Sequence, residues 1–403
     1  MSRPDTRSTR STRSTTDSTV TMTDLGTTAP AAFDLEQHRA DAEAIRRFAA
    51  DVLEPIAESG DAPQTTGPML AALTEFGLMD RILPRNGQTY SIGSALDICR
   101  IRNALAYGSP AADSVFTMQG LASFALVSAG SDDQRRRWLE PVRTGAAVAA
   151  FALTEPDVGS DAAALGLTAT RQGDGWVLRG TKTWITNAQS ADVFITFARS
   201  ADVPGSKGVS AFLVPADSPG LTVTPIEMIS PHPIGRVDFA DVAVPATALI
   251  GEPERGFATA MKTFDVFRPG VGAAALGMAQ RAFDETVERV KTRKAFGGTL
   301  FDKQAVRHAL ARAAVDLEAG MLLVEEAGRK YDSASPDRTQ AAATAKYFAT
   351  EAAQRIVDAA VQFHGAQGLA RGHVVESLYR EVRATRIYEG ASEVQLDIIS
   401  RRL

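Results

Sequence analysis

Trp176-Val177-Leu178, Val193-Phe194-Ile195-Thr196-Phe197 and Val209-Ser210-Ala211-Phe212-Leu213-Val214 fall within residues 173–214, with Gly, Asp and Asn turns between them. Short runs of β-branched and aromatic residues bounded by turn formers read as strands. Leu221-Thr222-Val223 and Val237-Asp238-Phe239 add two more, so a small antiparallel barrel or sandwich is predicted over residues 149–252.

Outward from this island the pattern takes on the period of a helix. Upstream, Leu35-Glu36-Gln37-His38-Arg39-Ala40-Asp41-Ala42-Glu43-Ala44-Ile45-Arg46-Arg47-Phe48 repeats its apolar positions at spacings of three and four. Pro55, Pro63, Pro68, Pro84 and Pro110 are predicted to divide this region into several helices. Ser131-Asp132-Asp133-Gln134 reads as a helix start, with a serine to cap free amides and acids in the first turn. Downstream, Phe257 to Arg293, Lys303 to Tyr331, Thr339 to His364 and Val374 to Tyr379 are rich in Ala, Leu, Arg and Glu, which favours a helical bundle. The predicted fold is therefore α+β and multidomain: an N-terminal helical domain over 31–148, a middle β domain over 149–252 and a C-terminal four-helix-bundle domain over 253–403. Residues 1–30 carry the near-repeat Ser8-Thr9-Arg10-Ser11-Thr12-Arg13-Ser14-Thr15 and almost no apolar content, so a disordered tail is predicted there, with Met22 as an alternative start.

Composition narrows the function. A chain of 403 residues with 44% hydrophobic content exceeds the size at which one core usually continues to grow. A net charge of −5 offers no basic excess for nucleic acid or anionic lipid. Cys99, the single cysteine, forms no intramolecular disulfide and no paired-cysteine metal site, so a reducing, cytoplasmic location and no metal are expected. Apolar runs such as residues 146–153 stop short of the roughly 18 residues of a membrane span.

Three motifs carry chemistry: Phe151-Ala152-Leu153-Thr154-Glu155-Pro156-Asp157-Val158-Gly159-Ser160-Asp161, Trp184-Ile185-Thr186-Asn187 and Arg386-Ile387-Tyr388-Glu389-Gly390-Ala391-Ser392-Glu393. Ile387, Tyr388 and Gly390 frame Glu389 in a tight, partly apolar turn. Burial there would raise the carboxyl above its ordinary pKa of about 4.3, towards that of an effective base near neutrality. The competing reading is a surface carboxylate paired with Arg383 or Arg386. No GxGxxG follows a strand, which argues against a Rossmann-type nucleotide domain.

In order and spacing these motifs resemble the acyl-CoA dehydrogenase family across nearly the whole chain. The resemblance implies a three-domain FAD enzyme in which Glu389 removes the proton α to a thioester carbonyl while the β-hydrogen leaves as hydride to flavin N5. It implies flavin contacts at Phe151, Leu153, Thr154, Trp184, Thr186, Ala391 and Glu393. In Arg293-Lys294-Ala295-Phe296-Gly297, Arg293 resembles the residue that reaches the pyrophosphate of a neighbouring subunit's FAD, with Phe296 beside it and Gln304 following. Gln362 and Gly365 belong to a turn that resembles the adenine- and phosphate-contacting one, supplied across the same interface. Ser160, Asp265 and Arg268 match contacts to the acyl carrier, and the Gly390 N–H, with a flavin ribityl hydroxyl, would stabilise charge on the thioester carbonyl. Structural readings stay open beside these: Ser160 as a cap, Arg268 as an ion pair, Gly390 as a turn, His364 as a helix-end packing residue. Some relatives carry the base at the position of Phe267, which cannot accept a proton, and this strengthens Glu389. Ser230-Pro231-His232-Pro233-Ile234-Gly235-Arg236 departs from the family's usual Arg/Ser-rich segment, and Ala366 and Ala391 replace a glycine and a threonine. The implied partners are acyl-CoA, an electron-transfer flavoprotein and further copies of the chain in a homotetramer. The alternatives are a dehydrogenase of carrier-protein acyl thioesters, an acyl-CoA oxidase, and a non-catalytic flavoprotein or assembly factor.

Overall fold

Helices occupy both ends of the chain and strands its middle in the computed structural model, which describes residues 35–403. The segment read as a disordered tail lies outside the described residues. Contacts group residues 40–403 into one unit.

The first helices are α1 (Leu35–Phe48), α2 (Glu54–Glu58), α3 (Ala62–Glu75) and α4 (Leu78–Ile82), followed by a small hairpin of β1 (Arg85–Asn86) and β2 (Thr89–Tyr90). Then come α5 (Ala95–Gly108), α6 (Pro110–Ala129) and α7 (Asp132–Arg143). Pro63 and Pro110 stand in the first turns of α3 and α6, where a missing amide costs nothing, whereas Pro55 follows a π-helical turn (Ala49–Leu53) through which α1 runs into α2 without a break. Pro68 departs from the expectation: it lies inside α3, and the helix runs through it at the loss of one backbone bond. The predicted start of α7 is a full capping box, Ser131 Oγ accepting from the Gln134 amide (3.2 Å) and Gln134 Oε1 from the Ser131 amide (2.9 Å).

The middle strands are β3 (Ala149–Ala152), β4 (Thr168–Gln172), β5 (Gly175–Thr186), β6 (Val193–Arg199), β7 (Val209–Pro215), β8 (Leu221–Pro225), β9 (Ile234–Pro245) and β10 (Leu249–Ile250). They form an eight-stranded sheet whose path runs β10-β7-β6-β4-β5-β9-β8, with β3 also on β6. Pairing is antiparallel as expected, with a correction at β6, where β3 runs parallel (Ala149↔Val193 to Ala152↔Thr196) and β4 adds one parallel pair, Thr168↔Arg199. Both faces of β6 are buried, which is why Val193-Phe194-Ile195-Thr196-Phe197 shows no polar alternation.

After the sheet, α8 (Gly256–Thr292) runs 37 residues, about 55 Å at 1.5 Å per residue. A tight hairpin of β11 (Lys294–Ala295) and β12 (Gly298–Thr299) turns the chain into α9 (Gln304–Asp332), then α10 (Arg338–His364), α11 (Val374–Ala384) and α12 (Ser392–Ser400). One apolar core lies among α3–α7, one face of the sheet and the start of α8. A second fills the space among α5, α8, α9, α10 and α11, and a third covers the other face of the sheet. Asp332 at the end of α9 accepts from Ser94 Oγ (2.6 Å) and the Ala95 amide (2.8 Å), so the bundle caps α5 and holds the N-terminal helices to itself. Among the described residues no helix is long and apolar enough to cross a membrane.

Candidate active site

Glu389 sits in the turn between α11 and α12, with φ of 52° at Glu389 and 94° at Gly390. Left-handed backbone at two successive residues reverses the chain sharply, and only the second is glycine. Surrounding bonds hold this strained geometry. Glu351 on α10 clamps both ends, accepting from Arg386 Nε and Ser392 Oγ at 2.7 Å each. Lys346 Nζ (2.5 Å) and Gln395 Nε2 (2.7 Å) donate to the Gly390 carbonyl, and Arg268 Nε donates to the Glu389 carbonyl at 3.3 Å. In a trans peptide the carbonyl and the following amide point in opposite directions. With the Glu389 carbonyl drawn to Arg268, the Gly390 N–H is aimed the other way.

The Glu389 carboxylate is treated differently from its backbone. Oε2 is buried and without a hydrogen-bond partner, and Arg386, a partner considered for it, is engaged with Glu351. Burial raises the Glu389 pKa above its ordinary value, opposed by the charges of Arg102, Lys346 and Arg268. Burial also lowers the Lys346 ammonium to about 8. The result is a desolvated carboxylate surrounded by cations but locked to none, the state a proton acceptor requires.

The first two motifs meet at the sheet. The Thr183 amide donates to the Thr154 carbonyl (2.9 Å), and Lys182 Nζ donates to the Leu153 carbonyl (2.9 Å) and to Glu155 (2.8 Å). The segment around Leu153 and Thr154 therefore lies on β5 beside Trp184 and Thr186. A register shift in the β5/β9 pairing between Lys182 and Ile185 throws Trp184 outwards, with φ of 59° and 54% exposure. An unsheathed indole beside strand-end peptide groups fits the face and polar edge of a flavin ring. The Phe151 ring, by contrast, is buried against Phe197 and Phe264 (centroids 4.8 and 5.8 Å), so only its backbone is left for a ligand. Phe264 in turn lies under the Arg268 guanidinium (5.6 Å), so contacts run from the β3 motif through α8 to the Glu389 turn.

Of the remaining candidates, Arg268, Ala391 and Glu393 belong with the Glu389 turn and the others stand apart from it. Arg293 ends α8, exposed, and Phe296 is 92% exposed at the tip of the β11/β12 hairpin, where it and Gly297 both take positive φ. Gln304 opens α9, exposed, while Gln362 and Gly365 are exposed at the end of α10. His364 is a packing residue, its Nδ1 2.8 Å from the Ala360 carbonyl. Ser160 is exposed in the loop after β3, Ala391 takes the N-cap position of α12, and Glu393 is exposed in its first turn. Asp265 accepts from Thr339 Oγ1 (3.0 Å), and Arg268 is buried on the Glu389 carbonyl without a carboxylate partner. Phe267 is fully buried in the core.

Sequence reading passed over Lys346, Glu351, Gln395 and the buried pair Arg102–Asp113. Lys346 follows Ala341-Ala342-Ala343-Thr344-Ala345 on a helix that also carries Arg338, Glu351, Arg355 and Asp358, so nothing in its neighbours marks it as buried. The others look like ordinary solvated polar residues.

Comparison with known proteins gives three matches in chain order: the acyl-CoA dehydrogenase N-terminal domain over residues 35–146, its middle domain over 150–242 and its C-terminal domain over 254–403. The chain is 36% identical to the caffeyl-CoA reductase-Etf complex subunit CarC of Acetobacterium woodii, over 89% of this chain and 95% of that protein. It is also 36% identical to the short-chain specific mitochondrial acyl-CoA dehydrogenase of Bos taurus, over 91% of this chain and 90% of that protein. Among solved structures, a glutaryl-CoA dehydrogenase from Mycobacterium smegmatis in complex with FADH2 superposes with a TM-score of 0.83 at 27% identity, covering 92% of this chain and 95% of its own.

Proposed function

The chain belongs to the acyl-CoA dehydrogenase family of oxidoreductases, and from that premise we propose that it desaturates an acyl thioester between its α and β carbons with Glu389 as the base. The observation that carries this reading is the buried Glu389 oxygen left without a partner among the described residues, in a turn whose Glu389 and Gly390 carbonyls are both engaged. Glu389 would take the α-proton. The Gly390 N–H, turned away from Arg268, would donate to the thioester carbonyl as negative charge develops there.

FAD is the cofactor, and when bound it supplies the acceptor for the β-hydrogen and its electron pair. Leu153 and Thr154 would hold it through backbone groups, Phe151 likewise, with Trp184 against the ring, Thr186 at its polar edge, and Ala391 and Glu393 nearby. A second copy of the chain would contribute Arg293 and Phe296, with Gln304, Gln362 and Gly365, to the distal part of the cofactor. The Phe296 ring, 92% exposed, is free to meet such a copy. On this reading the assembly is a homotetramer, Ser160 and Asp265 lie on the path of the carrier, and an electron-transfer flavoprotein accepts the electrons. The domain limits would be 31–148, 149–252 and 253–403.

The name of the Acetobacterium relative favours a second direction for the same site, reduction of an α,β-unsaturated thioester with Glu389 returning the proton. Anaerobic titration with saturated acyl-CoA esters, followed by the flavin spectrum, tests the reading. Bleaching by one acyl class supports desaturation. Bleaching that appears only with carrier-protein thioesters moves the substrate to that class, and re-oxidation of reduced flavin by enoyl-CoA alone supports the reductive direction. Glu389→Gln should keep its flavin and lose at least about a thousandfold in reduction rate, within the range a positioned base contributes. Undiminished reduction by that variant sinks the assignment.

A further inference from the structure

Arg102 on α5 and Asp113 on α6 form a bidentate pair, Nε to Oδ1 at 2.9 Å and Nη2 to Oδ2 at 3.0 Å, in the interior of the protein. Arg102 is 2% exposed and Asp113 4%. A buried ion pair seldom stabilises a fold over apolar side chains of the same volume, so its presence calls for another reason. Two contacts supply one. Arg102 Nη1 donates to the Phe267 carbonyl at 3.3 Å, and the guanidinium stem occupies the space a side chain at Gly270 would need: a Cβ there would lie 2.8 Å from Arg102 Cδ and Nη1. Arg102 thus grips the turn of α8 that carries Arg268, which fixes the Glu389 carbonyl.

The charges around Glu389 come from four helices: Arg102 from α5, Asp113 from α6, Arg268 from α8 and Lys346 from α10, with Tyr388 beside it in the chain. Of these charges Arg102 is the foremost that favours the ionised carboxylate, and Asp113 opposes it. None of these cations bonds the free Glu389 oxygen.

We propose that Arg102, oriented by Asp113, is a positioning residue for Glu389: it holds the α8 turn behind the base and sets a buried positive charge beside the carboxylate without bonding it. This rests on Glu389 being the base. The mechanism implied by the motifs has no part for either residue, and neither touches the reacting atoms. The pair acts through Arg268 and through its field.

The test follows the protonation of Glu389 directly, by infrared difference titration of the flavin-loaded protein, using the carboxyl C=O band that Glu389→Gln removes. Arg102→Gln should move the midpoint to higher pH and Asp113→Asn to lower pH, while Arg102→Lys stays near the parent. Below its midpoint each unit of displacement changes the ionised fraction about tenfold. Displacements of opposite sign are not what a loss of packing would give. Coincident midpoints in Asp113→Asn and Arg102→Lys, or a shift of one sign in both Arg102→Gln and Asp113→Asn, overturn the proposal. Arg102→Lys and Asp113→Asn suffice should Arg102→Gln fail to fold. If the band titrates as described yet Glu389→Gln still reduces its flavin, it is the role of Glu389 as base that falls.

Discussion

At the residue scale the site is built on contrast between backbone carbonyls that are engaged and a side chain left free. The carbonyls of Glu389 and Gly390 have three donors between them, while Glu389 Oε2 has none. The arrangement depends on Gly390 having no side chain: at φ of 94° a Cβ would stand 2.5 Å from Gln395 Nε2 and displace the amide that holds the turn. Gly390→Ala is therefore expected to cost about 1–2 kcal/mol in stability, the penalty of a side chain in left-handed backbone, and to lower turnover well beyond that. Urea melts set beside turnover separate the two effects; equal losses would mean that Gly390 serves only the turn. Glu389 was legible in the sequence because a glycine beside it marks a chain reversal, although the neighbours read as an apolar frame, Ile387 and Tyr388, are 59% and 39% exposed. Lys346, Glu351 and Arg102 were not, since nothing local distinguishes a charge that will meet its partner through space from one that will meet water.

At the element scale, α7 shows how a local signal acquires a tertiary task. Ser131 and Gln134 cap one another, as their spacing announces, but Gln134 Nε2 also donates to the carbonyls of Thr247 (2.8 Å) and Leu249 (2.9 Å) at the end of the sheet. Ser131→Ala should cost about 1 kcal/mol, the usual worth of a cap, whereas Gln134→Ala should cost more because it also leaves two sheet carbonyls without their donor; thermal melts of the two variants rank them. At the other end of α7, Glu140 accepts from Arg143 (2.7 Å) and from Tyr90 (2.8 Å), and these bonds, with Arg143 foremost, pull its pKa from 4.5 to about 2. A depressed carboxyl contributes stability that is present in full above pH 4.5 and fades as pH falls through about 2. Glu140→Gln should accordingly lower the melting temperature at pH 6 and draw level with the parent as pH approaches 2. A gap that stays constant with pH would deny the ion cluster that role.

At the scale of the whole molecule, a helical N-terminal region, a central sheet and a helical bundle are joined through α8, which touches all three and carries Phe264, Phe267 and Arg268 past the site. If flavin covers Trp184, removing it should lower the melting temperature and restoring it should raise that temperature with FAD concentration, as binding to the folded state alone requires. Trp184→Ala should weaken this response with little effect on the flavin-free protein, because the indole is 54% exposed without a ligand. An equal fall in both forms would make Trp184 a packing residue. The sequence by itself determined the succession of helices, strands and helices, the capped start of α7 and the glutamate in its turn, because period, caps and turn residues are properties of neighbours in the chain. Only the tertiary structure decided the parallel seating of β3 on β6, the passage of α3 through Pro68, the burial of the Phe151 ring and the ring of cations around Glu389. These depend on which distant surfaces meet, and a buried charge or a strand's direction is chosen by the partner it finds across the fold.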